Sequence, residues 1–152
     1  MPNIQVRPLA KRDVGSVLEI QHASPAAAQW SAAHYERGFA HAESHSGLVA
    51  EIDGLLVGFL VHRPTVSTET EVLNLAVDVH ARRQGVAMAL VAALRRGVAG
   101  DIFLEVRAAN RPAIGLYKRM GFAVVGRRRD YYRDPADDAL IMKSAARAGA
   151  VE

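Results

Sequence analysis

The sequence predicts a mixed α/β domain, a fold class that three observations indicate. Short segments of alternating or continuous apolar residues, bounded by Asp-Gly or Pro, are typical of β-strands. Other segments repeat apolar residues at helical spacing. The 152 residues contain no internal repeat and leave little room for a second domain. We therefore expect one α/β (α+β mixed) domain with about seven strands and about four helices.

The first part of the chain predicts one strand and two helices. Ile4–Arg7 reads as a short strand that ends before a proline. Apolar residues at helical spacing predict a helix over Asp13–Gln21. A second helix over Ser31–Ala40 would begin with a serine N-cap, and Trp30 before it can pack the start of this helix onto the core.

A hairpin and a longer strand come next. Asp53-Gly54 is a strong signal for a tight hairpin turn, and strand-like runs lie on both sides of it, over Gly47–Glu51 and Leu55–His62. The following apolar run predicts a strand over Thr70–Val79. These three strands are expected to pair antiparallel to one another.

The second half predicts two helices and three strands. These elements are a helix over Gly85–Gly97, a strand over Ile102–Val106, a helix from Asn110 or Arg111 to the C-cap residue Gly121, and strands over Phe122–Gly126 and Leu140–Lys143. A polar stretch separates the last two strands. The alanine-rich residues 144–152 predict a flexible tail, so the domain is expected to span residues 1–143.

Composition and charge exclude several classes of protein. Because the chain has no cysteine, it has no disulfide scaffold, thiolate zinc site or cysteine nucleophile, which suits the cytoplasm. No apolar run approaches the roughly 20 residues that cross a bilayer, and the first residues do not resemble a signal peptide, so no membrane partner is expected. A net charge of +3 is too small to indicate a specific nucleic-acid partner. The arginine clusters at 82–83, 95–96 and 127–129 are solvated faces or contacts to phosphates.

The segment Arg82-Arg83-Gln84-Gly85-Val86-Ala87 lies between a predicted strand and a predicted helix. The N-terminus of a helix leaves several backbone N–H groups without partners and carries partial positive charge, so it can hold an anion. Gly85 lets the backbone approach a phosphate, the small Ala87 keeps that approach open, and a neighbouring arginine can add charge-assisted contacts. The segment is either a phosphate-binding loop or a turn that starts a helix.

In its context, this loop resembles the acyl-CoA pyrophosphate loop of the GNAT N-acetyltransferases. The elements that carry this resemblance are Val77-Asp78-Val79 before the loop, then Asn110, Ala113, Leu116-Tyr117 and Gly121-Phe122. Further elements are similar to the RimI-type enzymes, namely Leu104-Glu105-Val106-Arg107, Tyr131-Tyr132 and, more weakly, Gln29-Trp30-Ser31. The close resemblance runs from about Leu73 to Lys143.

This resemblance implies a fold, an activity and partners. The fold would be a GNAT domain with a central, mostly antiparallel mixed sheet. The activity would be transfer of an acetyl group from acetyl-CoA to the N-terminal alanine of a small-subunit ribosomal protein in the cytoplasm. No metal is implied. His41 and His45 stand four apart and could share a helix face, but no acidic partners accompany them in a recognisable pattern.

The resemblance also implies roles for individual residues. Glu105 would be the general base and Tyr117 the general acid. The residues that would bind acetyl-CoA are Leu75, Ala76, Val77, Arg83, Gln84, Gly85, Val86, Ala87, Met88 and Asn110. The residues that would contact the acceptor are Trp30, Tyr131 and Tyr132.

These roles agree with the chemistry of the side chains. An α-amine has a pKa of about 7.7–8.0, so much of it is protonated at neutral pH and cannot attack a thioester. A carboxylate such as Glu105 can accept that proton, and a tyrosine such as Tyr117 can protonate the leaving thiolate. A backbone N–H of residues 75–77 can stabilise the oxyanion. Direct transfer of this kind needs no covalent enzyme intermediate.

Each of these residues also has a purely structural interpretation. A strand glutamate usually faces solvent, Tyr117 and Trp30 can be packing aromatics, and Tyr131-Tyr132 can stabilise a hairpin. Three other functions stay open: acetylation of a small amine or lysine side chain, non-catalytic sensing of acyl-CoA, and binding of RNA by the basic clusters. The expected acceptor side, residues 24–46, resembles the family least.

Overall fold

The computed structural model describes residues 2–66 and 68–146, which form seven β-strands and four α-helices. The elements are β1 (Ile4–Pro8), α1 (Val14–His22), α2 (Ala32–Ala40), β2 (Ser46–Ile52), β3 (Leu55–Pro64), β4 (Thr70–Val77), α3 (Val86–Gly97), β5 (Ile102–Arg107), α4 (Arg111–Arg119), β6 (Ala123–Tyr132) and β7 (Asp137–Ser144). Short 3₁₀ helices cover Lys11–Asp13 and Val79–Ala81. The predicted class and the predicted number of elements are confirmed.

The strands follow the order β1-β2-β3-β4-β5-β7-β6 in one mixed sheet. Antiparallel ladders join β1 to β2, β2 to β3, β5 to β7 and β7 to β6, while β4 and β5 pair in parallel through Thr70 and Ile102. The chain packs as two compact units, and β4 passes from one to the other. The first unit contains residues 2–64 and 73–97, and the second contains the described residues of 65–72 and 98–146.

The core of the first unit lies between the sheet and helices α1 and α2. Its buried side chains come from five elements, and they are Val14, Val17, Ile20, Tyr35, Val49, Phe59, Val61 and Ala76. The predicted N-cap is confirmed, since the Ser31 side chain accepts a hydrogen bond from the His34 N–H. Trp30 is partly buried against this core, as its packing interpretation predicts. Complete burial of a valine, isoleucine or phenylalanine side chain stabilises the folded state by about 1.5–3 kcal/mol.

Helix α3 packs closely against strand β3 because position 58 is a glycine. A Cβ atom at Gly58 would stand 2.8 Å from Cγ1 of Val86 and 3.2 Å from the carbonyl oxygen of Ala76. Contacts this short cannot be relieved without moving the helix or the strand. Gly58 therefore fixes the position of the first turn of α3, where the predicted anion-binding loop ends.

The entry to α1 is held by a buried carboxylate. Asp13, with 5% of its surface exposed, accepts two hydrogen bonds from the Arg7 guanidinium at 2.8 and 2.9 Å. It also accepts one from the backbone N–H of Ala10 at 2.7 Å, while Arg7 reaches Glu51 at 3.0 Å. These contacts, the arginine hydrogen bond foremost, hold the pKa of Asp13 below its usual value.

Asp13→Asn should lower the free energy of unfolding at pH 7 by about 1–3 kcal/mol, because it leaves Arg7 without its bidentate partner. The folded-state pKa of Asp13 is depressed, so its contribution is present above the unfolded pKa of about 3.9 and is lost as pH falls through the folded value. Urea unfolding at pH 7 and at pH 3 should show a difference between variant and wild type that shrinks at the lower pH. Equal stabilities at pH 7 would contradict the assignment.

The second unit contains a long hairpin that the sequence pattern underestimated. The predicted strands Phe122–Gly126 and Leu140–Lys143 are observed as β6, which runs to Tyr132, and β7, which begins at Asp137. The prediction that residues 127–132 belong to a separating polar stretch was wrong. Polar strands continue here because Asp138 accepts hydrogen bonds from Arg127 Nε at 2.6 Å and from the Asp130 N–H at 2.8 Å.

Several other boundaries also differ from expectation by one or two residues, including the ends of β4 and β7. Strand β4 ends at Val77 rather than Val79, because the side chain of Asp78 accepts a hydrogen bond from the His80 N–H and caps a 3₁₀ turn. Strand β7 ends at Ser144, one residue beyond the predicted domain boundary, and the Ala146 N–H then donates to Asp101. The remainder of the predicted tail, residues 147–152, lies outside the described residues.

Candidate functional site

The loop before α3 has the backbone of an anion-binding turn. Arg83 and Gly85 adopt left-handed conformations, with φ of 65° and 86°. Left-handed residues that alternate with right-handed or extended ones turn successive N–H groups toward one side, which forms a concave site for anions. The carbonyl oxygen of Gly85 accepts a hydrogen bond from the Ala89 N–H at 2.9 Å, so the helical ladder begins there and the amides just before Ala89 lie in the first turn, where an α-helix offers them no partner.

The residues of this loop fit a diphosphate. Arg83 and Met88 are exposed, and a Cβ added at Gly85 would meet only Cδ1 of Ile4, at 4.0 Å. The amides of a first helical turn and an exposed guanidinium are donors that suit phosphate oxygens, and the space beside Gly85 is open enough to admit them. Val86, Gln84 and Ala87 are buried or half-buried, so they shape the loop from beneath.

The loop is tied to the end of β4 in the same unit. Arg82 Nε donates to the carbonyl oxygen of Val77 at 3.4 Å, a long hydrogen bond, and Gln84 Nε2 donates to the carbonyl oxygen of His80 at the same distance. Within β4, Ala76 is buried while Leu75 and Val77 are half-buried. The structure therefore places predicted cofactor-binding residues of the strand and of the loop in the same unit.

In the second unit, Glu105 lies on β5, where it pairs with Ile141 of β7. Its side chain faces Arg128 of the β6–β7 hairpin. Its Oε2 atom lies 3.1 Å from Arg128 Nε, and its side chain is 19% exposed. That oxygen is shielded from solvent but accepts no hydrogen bond, so the arginine is at ion-pair distance without a well-aligned N–H. A shielded oxygen with unused acceptor capacity is available to take a proton from a bound group.

The two tyrosines of the hairpin each lie against an arginine. Arg107 lies over the ring of Tyr132, 4.3 Å from its centroid, and Arg128 lies 5.5 Å from the centroid of Tyr131. The guanidinium of Arg107 also donates to the carbonyl oxygen of Pro135 at 2.8 Å, which holds the hairpin loop. Burial, and next the charge of Glu105, raise the pKa of Tyr132. Tyr132 therefore lies within the electrostatic influence of the carboxylate.

Tyr117 lies on α4, which begins at the N-cap Asn110. The Asn110 side chain accepts a hydrogen bond from the Ala113 N–H, so it is engaged in forming the helix. The Tyr117 ring packs against Phe122, with 5.8 Å between centroids. Burial, followed by the influence of Tyr132, raises the pKa of Tyr117 to about 12. Its hydroxyl thus keeps its proton throughout the neutral range.

His41 and His45, which stand four apart in the sequence, do not share a helix face, because α2 ends at Ala40. His41 is exposed beside Glu43, whereas His45 is 2% exposed and stacks edge-on to Trp30. In the part of the chain that the structure describes, no three potential metal ligands are grouped together, and no helix is long and apolar enough to cross a membrane.

Three residues with contacts near the candidate site were not assigned a role from the sequence. Arg128 was one of a cluster of three arginines with nothing to distinguish it, and Arg107 was noted only as the last residue of the Leu104-Glu105-Val106-Arg107 motif, with no role of its own. Asn74 is buried in β4, where it hydrogen-bonds a distant loop. Its signal was present, since an asparagine within an apolar strand needs a partner for its amide.

Comparison with known proteins agrees with this geometry. A family model described as Acetyltransferase (GNAT) family matches residues 15–122. An N-alpha-acetyltransferase of Sulfurisphaera tokodaii is 37% identical over 110 residues, 62% of this chain, and this match spans 65% of that protein's length. A Bacillus subtilis protein, provisionally named ribosomal protein bS18-alanine N-acetyltransferase, is 33% identical over 141 residues, which cover 90% of this chain and 92% of that protein.

A solved structure extends the likeness to the fold. The crystal structure of the ribosomal-protein alanine N-acetyltransferase from Escherichia coli superposes with a TM-score of 0.82 and 29% identity, covering 95% of this chain and 94% of that one. The family model covers more than half of the chain and includes the loop before α3, Glu105 and Tyr117. The chain is therefore a member of the acetyltransferase (GNAT) family.

Proposed function

We propose that this protein transfers the acetyl group of acetyl-CoA to the α-amine of a protein N-terminus, with the N-terminal alanine of a small-subunit ribosomal protein as the acceptor. The observation that carries the proposal is the carboxylate of Glu105, whose Oε2 atom is shielded from solvent, accepts no hydrogen bond and faces Arg128, and whose charge acts on Tyr132. Relatives named for acetylation of ribosomal protein bS18 support the choice of acceptor. We assign the activity to residues 1–143 and, given a ribosomal acceptor, to the cytoplasm.

The first unit would hold acetyl-CoA, whose thioester supplies the acyl carbon that an amine can attack. Its diphosphate would be bound by the amides of the loop and by Arg83, Gln84, Gly85, Val86, Ala87 and Met88. The backbone of Leu75, Ala76 and Val77 would contact the acyl arm, and an N–H there would stabilise the oxyanion. Asn110 of the second unit, although engaged as a helix cap, is proposed as a further cofactor contact.

Glu105 would take the proton that the ammonium form of the acceptor must lose. The amine nitrogen then attacks the acyl carbon to form the new N–C bond, and the resulting oxyanion collapses to break the C–S bond while the nitrogen loses its second proton to solvent. Tyr117 would supply a proton to the departing sulfur. Its pKa of about 12 suits this role, because the hydroxyl is a proton donor throughout the physiological range.

The aromatic residues would shape the acceptor side. Tyr131 is 47% exposed, which leaves it free to contact a peptide, while Tyr132 is held by Arg107. A pair of rings with one fixed and one exposed is suited to lie along an extended peptide. Trp30 would contact the acceptor from its position at the start of α2, with only part of its ring buried in the core.

The acceptor class can be tested with a panel of peptides that differ in their first residue. Purified full-length protein, acetyl-CoA and each peptide are incubated, and free thiol is measured. Peptides that begin with alanine should react at least about tenfold faster than the same peptides with an acetylated N-terminus and an internal lysine, because only the former offer an α-amine that is partly deprotonated at neutral pH. Acetylation of lysine side chains or polyamines, without acetylation of the peptides that begin with alanine, would overturn the acceptor assignment.

A further inference from the structure

The segment between α1 and α2, residues 23–31, has irregular backbone, and its peptide groups at Ala28 and Trp30 are hydrogen-bonded by side chains of other elements. Buried or half-buried peptide groups that lie outside helices and sheets need partners from elsewhere. Ala28 obtains both of its partners from one residue, Asn74 of β4. The Asn74 amide donates to the Ala28 carbonyl oxygen at 3.0 Å and accepts from the Ala28 N–H at 3.1 Å.

Asn74 uses the full donor capacity of its side chain. Its Nδ2 atom also donates to the hydroxyl oxygen of Tyr35 at 3.3 Å, and Tyr35 in turn donates to Oε1 of Gln21. Asn74, Tyr35 and Gln21 are exposed by 5%, 1% and 0%. A buried polar network with every member paired allows one arrangement, because a shift would leave a buried group without a partner.

The network also forms hydrogen bonds with the segment at a second position. Nε2 of Gln21 donates to the carbonyl oxygen of Trp30 at 2.8 Å, and Nε2 of Gln29 donates to the carbonyl oxygen of Gln21 at 2.8 Å. The segment is thus fixed on both sides of Gln29, by β4 and by α1. These hydrogen bonds therefore fix the position of Trp30, which is proposed to contact the acceptor.

Asn74 immediately precedes Leu75, the first of the three β4 residues proposed to contact the acyl arm. We infer that Asn74 is a positioning residue. It fixes the segment 23–31 relative to β4, the strand proposed to contact the acyl arm, and so sets where the acceptor peptide lies. This inference rests on the proposed function. It assigns to Asn74 an effect on the acceptor that a merely structural asparagine would not have.

The test uses Asn74→Leu, which keeps a side chain of similar size and removes all three hydrogen bonds. Steady-state kinetics are measured on the full chain below its unfolding transition, with acetyl-CoA and the best alanine peptide. The KM for the peptide should rise roughly tenfold, a factor that corresponds to the loss of one or two net hydrogen bonds. The KM for acetyl-CoA should stay within about twofold, because the loop before α3 is untouched.

A second variant guards against a failure of Asn74→Leu to fold. Tyr35→Phe keeps the packed ring and the pairing of Asn74 with Ala28, but it cuts the link to Gln21. We expect a smaller rise in the peptide KM, about threefold, again with acetyl-CoA unaffected. Asp13→Asn is the matched control, because it exchanges a buried carboxylate for an amide in the same unit and outside this network. It should lower stability without separating the two KM values.

The outcomes distinguish the inference from the function beneath it. Unchanged kinetics in both variants, or equal rises in both KM values, would overturn the role of Asn74 while leaving the acetyltransferase intact. A wild-type protein that binds coenzyme A but acetylates none of the peptides would overturn the proposed acceptor, and the inference with it. A selective rise in the peptide KM for the network variants, absent from Asp13→Asn, supports the inference.

Discussion

Glu105→Gln is expected to lower kcat by on the order of 10²–10⁴-fold at neutral pH, the range that a positioned general base contributes. Glutamine keeps the length and planarity of the side chain but cannot accept a proton from the acceptor amine. The oxygen it replaces is shielded and accepts no hydrogen bond, so few structural contacts are lost apart from the ion pair with Arg128. The affinity for coenzyme A, measured by calorimetry, should change by less than about twofold, since the proposed diphosphate contacts lie in the other unit.

A matched control comes from the start of the same strand. Asp101 precedes β5 and lies 3.8 Å from Lys143, and its other partner is the N–H of Ala146. Asp101→Asn makes the same carboxylate-to-amide exchange in the same unit, away from Arg128 and the tyrosines. Its kcat should equal that of the wild type. Wild-type turnover in Glu105→Gln would remove Glu105 from the role of base.

Gly85→Ala is expected to weaken the binding of coenzyme A by about tenfold or more. Gly85 has a φ of 86°, a conformation that costs an alanine roughly 1–2 kcal/mol. The loop can relieve this strain only by turning its amides away from the arrangement proposed to bind the diphosphate. Calorimetric titration with coenzyme A measures the affinity, and thermal unfolding measures the strain.

Gly54→Ala separates strain from binding. Gly54 has a φ of 79° in the hairpin turn between β2 and β3, and a Cβ there would meet nothing within 4 Å. It therefore carries a comparable backbone cost at a place with no proposed ligand. Both variants should lose similar thermal stability, but only Gly85→Ala should lose affinity. Equal affinities in the two variants would contradict a phosphate-binding role for the loop.

Local patterns in the sequence were enough to define most elements. The Asp53-Gly54 turn adopts positive φ at both residues, as a tight hairpin requires, and Ser31 and Asn110 cap their helices. The loop before α3 was recognised because a glycine followed by a helix start is a local feature that neighbouring residues specify. Each of these features depends on interactions between residues a few positions apart, so it can be identified from the sequence alone.

The sequence by itself therefore determined the fold class, the order of the elements, the glycine-containing turn before α3 and the identity of Glu105 as the unusual residue of its strand. Only the tertiary structure decided that β6 continues through a polar segment to Tyr132, that Arg128 rather than its neighbours faces Glu105, and that Asn74 holds a loop 46 positions away in sequence. These features arise from pairing between distant strands and from the need of buried polar groups for partners. Such partners are chosen by the packed chain, and no local pattern of residues encodes them.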